Sequence, residues 1–94
     1  MNNVLVVLLA HGRRGRVEIM MEILDQALEG ANKTKIMYRA NLNFSRFERY
    51  FRELSKKGLI EVVDDPDASV VYRTTERGKE LLRILMEAEK LLSL

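Results

Sequence analysis

Hydrophobic and polar positions change period several times along this chain, and each change marks an element. Residues 4–9 (VLVVLL) form an unbroken, valine-rich run. It has the length of a buried strand, although length alone does not separate that from one end of a helix. HGRRGR (residues 11–16) reads as a flexible connector. From Arg16 to Glu29, Val17, Met20, Met21, Leu24, Ala27 and Leu28 recur on one helical face, and Gly30 stands where a C-terminal stop belongs. KTKIMYRA (residues 33–40) predicts a shorter helix with Ile36, Met37 and Ala40 inward. The segment from Asn41 to Lys57 is the most sharply patterned. At about 100° per residue, Phe44, Phe47, Phe51 and Leu54 fall on one stripe. Ser45, Arg49, Arg52 and Lys56 fall opposite, flanked by Arg46.

The turn before this third helix is short. Asn43 is a natural N-cap, and Leu42 before it is spaced to pack on Phe47 as a hydrophobic staple. Two helices joined by about three residues, the second basic outward, predict a helix-turn-helix. Gly58 ends the basic helix. LIEVVD (59–64) and VVYRT (70–74) then read as a hairpin across Asp65-Pro66-Asp67-Ala68-Ser69, in the position of a wing. Thr75 can cap a last helix from Glu76 to about Leu92. Leu81, Leu85, Ala88 and Leu92 follow the spacing of a coiled-coil seam, with Leu82, Ile84, Leu91 and Leu94 beside it. That apolar surface suits an interface, and packing back onto the same domain is the alternative.

Composition narrows the function. Ninety-four residues, 47% hydrophobic, suit one small domain over residues 1–94: an extra apolar segment (1–12), a core (14–74) and a last helix (75–94). With no cysteine there is no disulfide framework, thiol nucleophile or thiolate metal site. The 4–9 run is far short of the ~20 residues that span a bilayer and lacks the flanking charge of a signal sequence, so a cytoplasmic protein without membrane contact is expected. Net charge is only +2, but it is unevenly placed. Residues 33–57 carry eight bases and two acids, whereas the remainder carries eight bases and twelve acids. A +6 segment in an otherwise acidic chain has the form of an electrostatic footprint.

The wording of that segment resembles a known family. KTKIMYRANLNF (Lys33 to Phe44), then Tyr50 with Leu54 and Leu59-Ile60, and the Thr75-Glu76-Arg77-Gly78 opening with Leu81-Leu82, look like the small archaeal winged-helix DNA-binding proteins of about ten kilodaltons. The resemblance covers roughly Arg13 to Leu94. It implies an α+β, mainly helical winged helix-turn-helix with a two- to three-stranded wing or sheet. It also implies a homodimer held by a coiled coil of C-terminal helices, chromatin-associated or regulatory binding to duplex DNA, and no cofactor. The chain departs from the pattern in its first twelve residues and in a shorter last helix.

On these grounds the expected DNA-binding residues are Lys33, Thr34, Lys35, Ser45, Arg46, Arg49, Arg52 and Lys56. Arginine pairs bidentately with guanine or with phosphate, and Arg46 and Arg49 are favoured for bases, Arg52 and Lys56 for phosphate. Lys33, Thr34 and Lys35 open a helix, where backbone N–H groups favour an anion, and a merely solvated helix start is the alternative. The expected dimer interface is Leu81, Leu85, Ala88 and Leu92. Tyr38 and Tyr50 could each hydrogen-bond a phosphate, with the edge of the core as the favoured place for both. Arg13, Arg14 and Arg16 read either as a minor-groove arm or as a generic basic connector. The acidic wing (Glu61, Asp64, Asp65, Asp67) should be repelled by phosphate, and its spacing is not that of a calcium loop. His11 has no neighbouring carboxylate or serine arranged for catalysis, so a non-enzyme without metal, cofactor or evident small-molecule ligand is expected. The alternative function is a protein–protein module whose basic helix docks an acidic partner.

Overall fold

The structure, a computed structural model, describes residues 15–64, 67 and 70–92. The expected strand at 4–9, the connector arginines Arg13 and Arg14, and most of the hairpin turn lie outside the described residues. The element order is α1 (Arg16–Gln26), α2 (Lys33–Arg39), α3 (Phe44–Lys56), β1 (Ile60–Val63), β2 (Val71–Thr74) and α4 (Glu76–Leu92). β1 and β2 form an antiparallel hairpin in which Ile60 faces Thr74 and Val63 faces Val71. Ala31, between α1 and α2, adds a single bridge to the other edge of β2, exchanging both backbone hydrogen bonds with Tyr72 at 2.9 and 2.8 Å. This is the α+β, mainly helical winged helix-turn-helix that the pattern predicted, with two strands and a one-residue third contact.

The joint between α2 and α3 is built from three residues. Asn41 takes a left-handed conformation (φ 56°). Its N–H donates to the Tyr38 carbonyl, and the N–H of Leu42 donates to that of Met37. These two bonds are a Schellman motif, which satisfies carbonyls that the end of α2 would otherwise strand. Asn43 follows at once as the N-cap of α3, its side chain accepting from the Arg46 N–H at 2.8 Å. Leu42 is buried in the same core as Phe47, at the spacing of a hydrophobic staple. One leucine therefore serves both the end of α2 and the entry of α3. α3 closes in the same way at Gly58 (φ 70°), with Leu59 N–H bonded to Leu54 carbonyl, and both leucines are buried.

The core gathers Ile19, Ile23, Leu24, Ile36, Phe47, Leu54, Ile60 and Leu82. In α1 the predicted face is buried at Met20, Met21, Leu24 and Ala27, and it is wider than predicted. Ile19 and Ile23 are fully buried, whereas Val17 is exposed. Glu18, Glu22, Asp25 and Gln26 form the polar side of the helix, and Val17, near its start, is the predicted inner residue that the core does not reach. α4 has the predicted bounds, and the Thr75 hydroxyl caps it by accepting from the Gly78 N–H at 3.0 Å. Its fully inward residues are Gly78, Leu82 and Glu89. Leu81 and Leu85 pack against the edge of the core, while Ala88 and Leu92 are exposed. The expected seam thus lies along a boundary, and the exposed apolar stripe is Ile84, Ala88, Leu91 and Leu92.

Thr74 ties the sheet to α1. Its buried hydroxyl donates to the Leu24 carbonyl at 2.6 Å. That carbonyl lies in the last turn of the helix, where the Leu28 N–H has turned to Asp25 instead. Thr74→Val keeps the shape and removes the donor, leaving a buried carbonyl without it. The expected loss is about 1–2 kcal/mol in urea unfolding, with the slope of the transition unchanged; an unaltered midpoint would show that water takes over the bond.

Candidate nucleic-acid interface

α3 presents its basic face because its opposite face is consumed by the core. Phe47, Phe51 and Leu54 are buried, and Phe47 and Phe51 stack with ring centroids 5.3 Å apart. Tyr72 of β2 meets Phe51 edge-on at 4.6 Å, which joins the helix to the sheet. Ser45, Arg46, Arg49, Arg52 and Lys56 are all exposed as expected from their angular positions. The Arg49 guanidinium lies 5.7 Å from the Tyr50 ring centroid, a contact that limits the arginine's freedom before any ligand arrives.

The ion pairs decide which charges face outward. Glu48 holds Lys33 at 2.7 Å, and the Lys33 ammonium also lies 5.2 Å from the Phe51 centroid and 5.9 Å from that of Tyr72. Lys33 was expected at the helix start as an anion contact; the structure places its charge on these partners, between α2 and α3. Glu53 pairs with Lys57 at 3.0 Å and with Arg16. Arg16 is accordingly the first residue of α1 and is fixed to α3. Both acids of the basic segment are thus engaged. Lys35, Arg39, Arg46, Arg49, Arg52 and Lys56 are exposed, with no ion pair among the described residues. Arg39, which sequence reasoning did not single out, joins the set because Glu48 and Glu53 are spent elsewhere. Its signal was its membership of the +6 segment.

α4 behaves oppositely. Lys79 pairs with Glu76, Arg83 with Glu80 and Lys90 with Glu87, each three residues apart. The hydrogen bond and charge of Arg83 hold the Glu80 carboxyl below the usual carboxylate range. Positive potential is therefore concentrated on α2 and α3.

Two aromatic residues stand apart from expectation. Tyr38, expected at the core edge, is 83% exposed beside Lys35 and Arg39 on α2. Phe44, expected in the inner stripe, is 64% exposed. As the first residue of α3 it has the right angle but lies beyond the end of the core that buries Phe47. Tyr50 does pack at the core edge. On the hairpin, Glu61 lies opposite Arg73, and Asp64 and Asp67 are exposed nearer the tip. Among the described residues no group of carboxylates and histidines is arranged to hold a metal ion, and no helix is long and apolar enough to cross a membrane.

A helix-turn-helix whose second helix is basic outward, followed by a two-stranded hairpin, defines the winged-helix class. The chain belongs to the winged helix-turn-helix family, whose model matches residues 13–93. An uncharacterized protein of Methanocaldococcus jannaschii is 36% identical over 76 residues, which is 80% of this chain and 73% of the relative. The chain is also similar to Sso10a-2, a DNA-binding protein from Sulfolobus solfataricus (34% identity, TM-score 0.66, 80% of this chain and 77% of that one). The PcaV transcriptional regulator of Streptomyces coelicolor shares the fold at 21% identity (TM-score 0.64, 77% of this chain and 53% of that one).

Proposed function

We propose that this protein binds duplex DNA as a homodimer and acts in the cytoplasm on the nucleoid, as a transcription regulator or a chromatin-associated protein. The observation that carries this reading is the set of six exposed cations on α2 and α3 without ion pairs among the described residues. Sso10a-2, a 34% identical relative, is itself a DNA-binding protein. In this reading α3 lies in the major groove, where a helix fits and base edges are distinguishable. Ser45, Arg46 and Arg49 meet base edges, while Arg52 and Lys56 meet one phosphate strand. Thr34, Lys35 and Arg39 meet the other strand, and Lys33 holds α2 against α3. The acidic wing stays clear of phosphate.

An electrophoretic shift with random and genomic duplexes at two salt concentrations tests this. Each phosphate neutralised contributes about −0.9 to the slope of log K against log salt. Four such contacts (Lys35, Arg39, Arg52, Lys56) predict roughly −3.6 per protomer. Absence of a shift, or binding indifferent to salt, overturns the proposal.

The partner protomer is assigned to α4, through Leu81, Leu85, Ala88 and Leu92 with Ile84 and Leu91 alongside. Leu91 and Leu92 are 74% and 80% exposed, so a second copy covers apolar surface that the protomer leaves in water. Leu92→Asp should leave the melting of the isolated domain nearly unchanged and halve the sedimenting mass. A wild-type protein that sediments as a monomer at every concentration rules this interface out.

A further inference from the structure

We propose that Arg77 is a positioning residue, which locks the end of α3 to α4 so that the dimer sets the angle at which α3 meets DNA. The inference rests on the DNA-binding homodimer reading above and goes beyond it. α3 closes its own exit, where the N–H groups of Lys57, Gly58 and Leu59 bond back to Glu53, Ser55 and Leu54. The carbonyls of the same three residues turn to the opening of α4. That of Lys57 accepts from Arg77 Nε at 3.0 Å, that of Gly58 from the Thr75 hydroxyl at 2.7 Å, and that of Leu59 from the Thr75 N–H at 3.1 Å. Three consecutive carbonyls held in this way leave no hinge between the two helices.

Arg77 is the part of this joint that can be tested by itself. Thr75 also caps α4, and Gly78 lies against the Leu59 carbonyl. Arg77 is exposed, has no ion pair among the described residues, and reaches twenty positions back along the chain. Its cation stands at the C-terminal end of α3, where the helix dipole is negative. The joint also borders the surface assigned to the partner. A groove beside it is lined by Lys57, Leu59, Arg77, Glu80, Leu81 and Ile84, of which Leu81 and Ile84 belong to that surface. The other end of α3 is fixed to α2 through Leu42 and Asn43. A dimer that fixes α4 therefore fixes both copies of α3, and two half-sites are met at one separation.

The test separates the bond from the charge. Arg77→Gln puts an amide N–H where Nε stands and removes the charge, whereas Arg77→Met puts a methyl group there. The chain has no cysteine, so Ser55→Cys gives each protomer one spin label on an exposed position of α3 outside the residues assigned to DNA. Pulsed electron-spin measurement should find one narrow distance between labels with Arg77 intact and in Arg77→Gln. Arg77→Met should broaden it. Duplex affinity should be kept by Arg77→Gln and fall about fivefold in Arg77→Met, the equivalent of one hydrogen bond that no longer holds the binding-competent state. Distances as narrow in Arg77→Met as with Arg77 intact overturn the proposal. An equal loss of affinity in both variants also overturns it, because Arg77 would then act through its charge on phosphate. Absence of any distance between labels overturns the homodimer reading and this proposal with it, and absence of duplex binding overturns the DNA reading, so the failures are distinct.

Discussion

Replacing Arg49 and Arg52 together by alanine is expected to weaken duplex binding by about a hundredfold, taking each arginine contact near the lower end of 1–3 kcal/mol. Both side chains are exposed and neither is ion-paired among the described residues. The folded state should therefore change by no more than about 0.5 kcal/mol, and a melting curve alongside the binding curve separates lost contact from lost fold. Salt dependence then tells what the arginines touch. If both neutralise phosphate, the slope becomes shallower by about 1.8. If Arg49 reads a base, the slope changes by about half of that and discrimination between duplex sequences falls instead. Unchanged affinity together with an unchanged slope means that α3 does not grip DNA, and an acidic protein partner becomes the better occupant of this face.

Gly78→Ala should be the most damaging single substitution in the described structure. A Cβ at this position would lie 2.2 Å from the Leu59 carbonyl oxygen and 2.7 Å from the Thr74 methyl. The oxygen belongs to a backbone that cannot swing aside, because it also accepts from the Thr75 N–H at 3.1 Å. Nor can α4 simply lift, since Leu82, one turn on, is buried in the core. We expect a loss of about 3 kcal/mol, at the upper end for overpacking. In a domain of this size that is a fall of more than about 10 °C in melting temperature. A fall of only one or two degrees would show that α4 has room to slide along the hairpin.

Gly78 illustrates where sequence reading stops. The Thr75-Glu76-Arg77-Gly78 opening was visible as a pattern, but its reason is a contact with Leu59, nineteen positions earlier, that no local periodicity encodes. The third helix was legible because its two faces are chemically opposite, and the three-residue joint because each of its residues has a distinctive backbone role. α1 was legible too: Met20, Met21, Leu24 and Ala27 are buried as predicted, and what periodicity missed is that Ile19 and Ile23 widen the same face. Phe44 and Val17 share another cause. Periodicity gives an angle around the axis but not the point along it at which the neighbouring helix ends. In α4 the alternative of packing back onto the domain holds for Leu81 and Leu85, which reach the core, and not for Ala88 and Leu92. Lys33 looked like any other base of the +6 segment; only the approach of Glu48 from the next helix sets it apart.

The doubled duty of Leu42 bears on how such a chain tolerates change in length. Met37, Asn41, Leu42, Asn43 and Phe47 are each counted from their neighbours: two bonds run backward from Asn41 and Leu42, and a cap and a staple run forward from Asn43 and Leu42. Adding or deleting one residue here breaks both helix ends at once and turns the basic face away from any groove it addresses. The hairpin is under no such count, since its strands are already paired from Ile60 with Thr74 to Val63 with Val71 before the turn begins. Insertions are therefore admissible at the wing tip and inadmissible at the joint. Lineages of this chain are free to lengthen the acidic wing, while the spacing that aims the arginines stays locked.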